Sequence, residues 1–141
     1  AGWGVRDNHI PFPHLSAGVI TPEELADVFS QCDAALVMSL TNLSLMPLEV
    51  MAAGCAVVSN RGECVEWRLN DEVALLADPT VEALAAALCY LLENDTARLA
   101  LASRGQEFAR QQHWQDSAEP FEQGLLAARR ALPTSTGEMT P

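Results

Sequence analysis

The apolar positions along the chain fall into short blocks that alternate with amphipathic segments. Residues 34–39 (AALVMS) and 55–59 (CAVVS) read as buried strands, and residues 72–78 (EVALLAD) as a weaker one. Short apolar strands that alternate with helical segments are typical of parallel βαβ units. The pattern therefore predicts an α/β fold: a Rossmann-like parallel sheet flanked by helices, with extra helices at the C-terminal end.

Two helices are predicted from their end signals in the first half of the chain. Thr21, Pro22 and Glu24 have the spacing of a capping box with proline at the first helical position, which predicts a helix start. A short helix is predicted over residues 47–53, ended by Gly54 in a left-handed conformation. Residues 60–71 are predicted to be irregular or to form one helical turn.

From residue 80 onward the pattern is helical. Helices are predicted over 80–93, 97–112 and 113–132, with a break at 94–96, and the polar residues 133–141 are predicted to be a disordered tail. The opening residues AGWGVRDN resemble the end of a strand entering a turn, with no strand before it. Residues 1–132 are thus expected to be one domain that lacks its first strands.

The charge of the chain limits its partners. The net charge is -11, all eight basic residues are arginine, and lysine is absent. Such a chain repels phosphate backbones and anionic membrane surfaces, so neither nucleic acid nor a membrane is an expected partner, and lysine chemistry is excluded within these residues. No apolar stretch approaches the roughly 20 residues that span a bilayer, and no signal peptide opens the chain, so a cytoplasmic location is expected.

The four cysteines do not form a metal-binding or disulfide pattern. No CxxC pair is present, and Cys32, Cys55 and Cys89 lie in apolar runs, as expected for core residues of a reduced compartment. No metal site, no cofactor and no catalytic nucleophile is predicted.

A candidate binding site follows the first predicted strand. In parallel sheets ligands bind beyond the carboxyl ends of strands, and the N–H groups at the start of the next helix favour an anion, typically phosphate. Glu49 lies in the first turn of that helix, where two interpretations stay open: the helix dipole favours a carboxylate there, or the carboxylate accepts hydrogen bonds from a ribose diol. The predicted site consists of Thr41, Asn42, Leu43, Ser44, Leu45, Met46 and Glu49.

Residues 33–67, DAALVMSLTNLSLMPLEVMAAGCAVVSNRGECVEW, resemble the nucleotide-sugar-binding half of GT-B glycosyltransferases, especially the large retaining family. That family has a loop similar to EGFGLPLLEAMA, a glycine and a strand similar to PVVAS. Upstream, AGVITPEELADVFSQCD is similar to the family's GYVSDEELAALYRRAD. The resemblance extends over roughly residues 14–125 and, within the family, is strongest for bacterial polysaccharide and rhamnosyltransferase-like members.

The resemblance implies roles for individual residues. In the family two glutamates bracket the loop: the second contacts the ribose of the nucleotide and matches Glu49, and the first lies near the transferred sugar and matches Thr41. Threonine can donate one hydrogen bond but cannot stabilise a developing positive charge. Asn42 and Ser44 replace the two glycines of the family's loop, so the backbone approaches the donor phosphates less closely.

The resemblance implies a transferase that moves a sugar from a UDP-, GDP- or dTDP-sugar to a glycan acceptor, without a metal or cofactor. The acceptor would bind through an N-terminal domain missing from this chain, so the fragment is expected to be inactive alone. Two alternatives stay open: a non-catalytic interaction or regulatory domain with a degenerate donor site, and a GT-B sugar-nucleotide epimerase.

Overall fold

The structure is a computed structural model that describes residues 10–131. Its helices and strands alternate through the first part of the chain, and three helices follow the last strand. The elements are α1 (Pro22–Ser30), β1 (Ala34–Leu36), α2 (Met46–Ala52), β2 (Ala56–Asn60), α3 (Glu63–Glu66), β3 (Leu75–Ala77), α4 (Val81–Glu93), α5 (Asp95–Arg110) and α6 (Trp114–Ala131).

The strands form a parallel sheet in the order β1-β2-β3, with Ala34 opposite Ala56 and Val58 opposite Leu75. The central strand β2 is buried along its whole length. This confirms the predicted α/β fold with a parallel sheet flanked by helices.

The core lies on both faces of β2, because side chains alternate across a strand. Val57 packs on one face with Val50 and Met51 of α2. Val58 packs on the other face with Leu91 of α4 and Leu101 of α5. The sheet is therefore covered by α2 on one side and by α4 on the other, and α5 packs against both core clusters, through Phe108 and Leu101 respectively.

The predicted helix ends are present. The N–H group of Glu24 donates to Thr21 Oγ1 (3.3 Å), and the N–H group of Thr21 donates to Glu24 Oε2 (2.8 Å), which completes the capping box. Gly54 follows α2 with a φ of 82°, the left-handed conformation that favours glycine.

Some boundaries differ from the prediction. β2 covers residues 56–60 instead of 55–59, since β3 pairs with it as far as Asn60, opposite Ala77, and the Arg61 N–H group then donates to Ala77 O (2.7 Å). Asn60 is consequently part of the sheet. The break before α5 is shorter than predicted, because this helix already begins at Asp95.

The described residues up to Arg110 form one compact unit, and those from Gln111 to Ala131, which include α6, form another. Pro120 lies inside α6. None of the helices within residues 10–131 combines the length and apolar character that crossing a membrane requires. The predicted strand end at residues 1–8 and the tail at 133–141 lie outside the described residues.

Candidate functional site

The candidate loop lies beyond the carboxyl ends of β1 and β2. After β1 the chain passes through the buried Ser39, follows an exposed loop and enters α2 at Met46. Leu43 is half-buried against the core below, which anchors the middle of the loop. The structure thus places residues 41–46 at the edge of the sheet that binds ligands in parallel α/β proteins.

Side chains of β2 hold the segment that leads into this loop. Asn60 is buried, and its Oδ1 accepts from the Ser39 N–H group (2.7 Å) while its Nδ2 donates to Ser39 O (2.9 Å). One residue earlier, Ser59 Oγ donates to Val37 O (2.7 Å). The start of the loop is therefore fixed to the central strand through both groups of the Ser39 backbone.

Polar side chains of the loop bond mainly to the loop itself. Ser39 Oγ donates to Asn42 O, and Thr41 Oγ1 donates to Asn42 Oδ1 (3.0 Å). Ser44 Oγ accepts from the Met46 N–H group (3.3 Å). Thr41 and Asn42 are both exposed, so their remaining hydrogen-bonding capacity faces solvent.

The first turn of α2 offers fewer free N–H groups than the sequence suggested. Pro47 has none, the Met46 N–H group donates to Ser44 Oγ, and those of Leu48 and Glu49 donate to Leu45 O (2.9 and 3.1 Å). The expectation that the helix end itself presents unpaired amides is wrong, because proline and local bonds take up the whole turn.

The unpaired donors lie just before the helix. Among the described residues no hydrogen bond takes up the backbone N–H groups of Asn42, Leu43, Ser44 and Leu45. Consecutive unpaired N–H groups in an exposed loop are able to bind phosphate oxygens. The capacity for an anion therefore belongs to the loop.

Glu49 is exposed in the first turn of α2, as predicted. Within the described part of the chain its carboxylate has no hydrogen-bond or ion-pair partner. It is therefore available to an external hydrogen-bond donor, and its position in the first turn also suits the helix dipole.

The segment after β2 borders the loop from the other side. The Cys64 thiol donates to Thr41 O (3.1 Å). Arg61 pairs with Asp71 (2.9 Å) and Glu66 (3.2 Å), and its hydrogen bond to the Asp71 carboxylate raises the pKa of Arg61 further. Two carboxylates thus more than offset the charge of the arginine at this edge.

Sequence reasoning missed the residues that support the loop. Ser39 and Asn60 were not predicted to belong to the site, and neither was Cys64. Their contacts join residues more than 20 positions apart, and the one local signal was a pair of polar residues, Ser59 and Asn60, at the end of an apolar strand. Within residues 10–131, no three His, Cys, Asp or Glu side chains converge as a metal ion requires.

The parallel sheet and its polar loop define an α/β domain of the class that binds ligands at the carboxyl edge of its strands. Comparison with known proteins identifies the family. The glycosyl transferase-like family matches residues 2–123, and the chain belongs to that family.

Two curated relatives are similar over most of this chain. The O-antigen biosynthesis protein RfbC of Myxococcus xanthus is 31% identical over 111 residues, which are 77% of this chain and 9% of that protein. D-inositol 3-phosphate glycosyltransferase of Corynebacterium urealyticum is 31% identical over 120 residues, 83% of this chain and 27% of that protein. The chain therefore spans about a tenth and about a quarter of the length of these relatives.

A solved structure is similar in fold. Sucrose-phosphate synthase from Thermosynechococcus elongatus superimposes with a TM-score of 0.68 at 26% identity, over 79% of this chain and 30% of that one. The GT-B resemblance seen in the sequence is thereby supported by the fold.

Proposed function

We propose that this chain is the donor-binding domain of a glycosyltransferase and binds a nucleotide-sugar at residues 41–46 and Glu49. The observation that carries the proposal is a run of backbone N–H groups, over Asn42–Leu45, that have no hydrogen-bond partner within residues 10–131. This run lies at the carboxyl edge of the sheet in a member of a glycosyltransferase-like family. The diphosphate of the donor accepts hydrogen bonds from these amides. Neutral amide donors suit a lysine-free chain in which Arg61 is already paired with two carboxylates.

The ribose of the donor lies beside Glu49. A carboxylate accepts hydrogen bonds from two neighbouring hydroxyls, and bonds to a charged acceptor are stronger than neutral ones. Glu49 is exposed and has no partner in the described part of the chain, so it meets this requirement without first breaking a bond seen there. The same use of an acidic residue on ribose hydroxyls occurs in dinucleotide-binding folds.

The chemistry required of the domain is stabilisation of a leaving group. As the bond between the sugar and the diphosphate opens, negative charge grows on the phosphate oxygens, and fixed amide dipoles stabilise it without rearrangement. Thr41 stands where the family's first glutamate lies, so it supplies a hydrogen bond to the sugar but no charge. The domain carries donor recognition, and the acceptor binds through another part of the full-length protein.

The acceptor is proposed to be a growing bacterial polysaccharide. The similarity to an O-antigen biosynthesis protein supports this choice. The rhamnosyltransferase-like features of residues 43–60 agree with it. UDP-, GDP- and dTDP-sugars are the donors to test, and a retained anomeric configuration in the product is the outcome expected from the sequence resemblance.

Titration calorimetry of the full-length protein with UDP-, GDP- and dTDP-sugars tests the proposal, with Glu49→Gln as the variant. Loss of charge-assisted hydrogen bonds is expected to lower the affinity for the donor about tenfold or more. Glu82→Gln is the matched control, because Glu82 also lies in the first turn of a helix, α4, and loses the same dipole interaction.

The outcomes separate the alternatives. Equal affinity in wild type and Glu49→Gln would remove the ribose assignment and leave the helix dipole as the reason for this glutamate. Failure to bind any donor would favour the interaction or regulatory domain. If a donor binds, product analysis with an acceptor glycan distinguishes transfer from epimerisation, since only transfer makes a glycosidic bond.

A further inference from the structure

The amide of Asn60 joins two strands at the point where the loop begins. Asn60 is the last residue of β2 and is 2% exposed. Its Oδ1 accepts from the N–H group of Ser39, and its Nδ2 donates both to Ser39 O and to Arg61 O (3.0 Å). One buried side chain thus saturates the backbone of a residue 21 positions earlier in the chain.

This contact lies where the backbone hydrogen bonds between the β1 segment and β2 end. The N–H group of Val37 donates to Val58 O (2.9 Å) beyond the end of β1. Two residues later the backbone of Ser39 bonds to the Asn60 side chain in place of a neighbouring strand. A carboxamide suits this position because it carries a donor and an acceptor side by side, like a peptide group. Asn60 therefore extends the ladder by one step, to the residue before the loop.

A short series of bonds continues from Ser39 into the loop. The Ser39 hydroxyl, itself buried, donates to Asn42 O. Asn42 belongs to the loop segment whose N–H groups have no hydrogen-bond partner among the described residues. The position of those donors is therefore set from the central strand through two residues, Asn60 and Ser39.

We propose that Asn60 is a positioning residue for the donor: it holds the loop so that the amides of residues 42–45 converge on the diphosphate. The inference rests on the proposed function, and Asn60 itself does not touch the ligand. Hydrogen-bond donors that are already in place stabilise charge without a cost of rearrangement, whereas a loop that must order itself on binding loses affinity.

Two substitutions of Asn60 and one control in the full-length protein test the role. Asn60→Asp keeps the acceptor but loses both donated bonds, and Asn60→Ser replaces the amide without burying a charge, in case the carboxylate prevents folding. Ser59→Ala is the matched control. Ser59 is equally buried, and its hydroxyl also bonds to the segment after β1. Its acceptor, Val37 O, lies two residues further from the loop than Ser39 does.

Two measurements are made on each variant at a temperature where it is folded. The first is the rate of chymotrypsin cleavage after the leucines of the loop (Leu40, Leu43 and Leu45), relative to cleavage elsewhere. The second is calorimetric affinity for the donor that binds the wild type. Both Asn60 variants are expected to show faster loop cleavage and affinity reduced about tenfold, as for loss of one buried hydrogen-bond partner. Ser59→Ala should change neither.

Each other result counts against the inference. Loop cleavage at the wild-type rate, or an equal increase in Ser59→Ala, would show that Asn60 does not set the loop. Faster cleavage with unchanged donor affinity would show that loop position is unimportant for the donor, while the proposed function would stand. If the wild type binds no donor, the proposed function fails and the role of Asn60 in donor binding fails with it, whatever the cleavage rates show.

Discussion

Gly105 of α5 lies directly against Met51 of α2. A β-carbon at residue 105 would lie 3.0 Å from Met51 Cγ and 3.2 Å from Val73 O. The absence of a side chain at Gly105 therefore sets how closely α5 approaches the helix that carries Glu49. Met51 is fully buried and Val73 O is backbone, so neither moves away easily.

Gly105→Ala is expected to destabilise the protein, although alanine is normally the better helix residue. Overpacking of a filled core costs about 1–3 kcal/mol, which exceeds the roughly 0.5–1 kcal/mol gained from helix propensity. Urea unfolding measures the change in the free energy of unfolding. Gly124→Ala in α6 is the control, because a β-carbon there meets no atom within 4 Å among the described residues. A more stable Gly105→Ala protein would show that the two helices are not packed this closely.

The stability of the protein should fall at alkaline pH because of Cys55. Burial raises the pKa of the Cys55 thiol from 9.0 to about 11, with Cys32 and Asp33 adding to the effect. The unfolded state then loses its thiol proton first. The contribution of the buried thiol to the free energy of unfolding is fully present below pH 9 and is lost as the pH rises through about 11. The loss amounts to about 2–3 kcal/mol for this shift.

Urea titrations at several values between pH 8 and pH 11 measure this dependence. Cys55→Ala should flatten the decline in the free energy of unfolding over that range, at the cost of a small cavity that lowers stability at every pH. Cys89→Ala is the matched control for loss of a cysteine, because Cys89 is exposed and not, as the sequence predicted, part of the core. An unchanged slope in Cys55→Ala would assign the alkaline decline to other groups.

Much of the fold was predictable because it depends on local patterns. The apolar run around Val57 indicated a buried strand, and a glycine after a short amphipathic segment indicated the left-handed end of α2 at Gly54. The position of the loop followed from the same logic, since a segment between a parallel strand and its helix must lie at the carboxyl edge of the sheet.

The internal bonding of the site was not predictable, because it depends on residues distant in sequence. Asn60 looks like an ordinary polar residue after a strand until the sheet places it beside Ser39. The lack of free N–H groups at the start of α2, in contrast, had a local signal. Pro47 has no N–H group, and the nearby Ser44 offers a hydroxyl acceptor. The general preference of helix ends for anions was given more weight than these two residues.

The capping box of α1 gives a further stability prediction. Thr21 and Glu24 each accept a hydrogen bond from the other's N–H group, so removing either side chain leaves one N–H group without its partner. Thr21→Ala is expected to lower the free energy of unfolding by about 1 kcal/mol, and Glu24→Ala by somewhat less.

Conservative substitutions distinguish the cap from a general effect of side-chain loss. Thr21→Ser retains the hydroxyl acceptor and Glu24→Gln retains the carbonyl acceptor, so both should remain close to the wild type in urea unfolding. The charge of Glu24 also interacts with the helix dipole, and Glu24→Gln loses that part alone. If Glu24→Gln were as unstable as Glu24→Ala, the dipole and not the reciprocal hydrogen bond would be the main contribution of Glu24 to the start of α1.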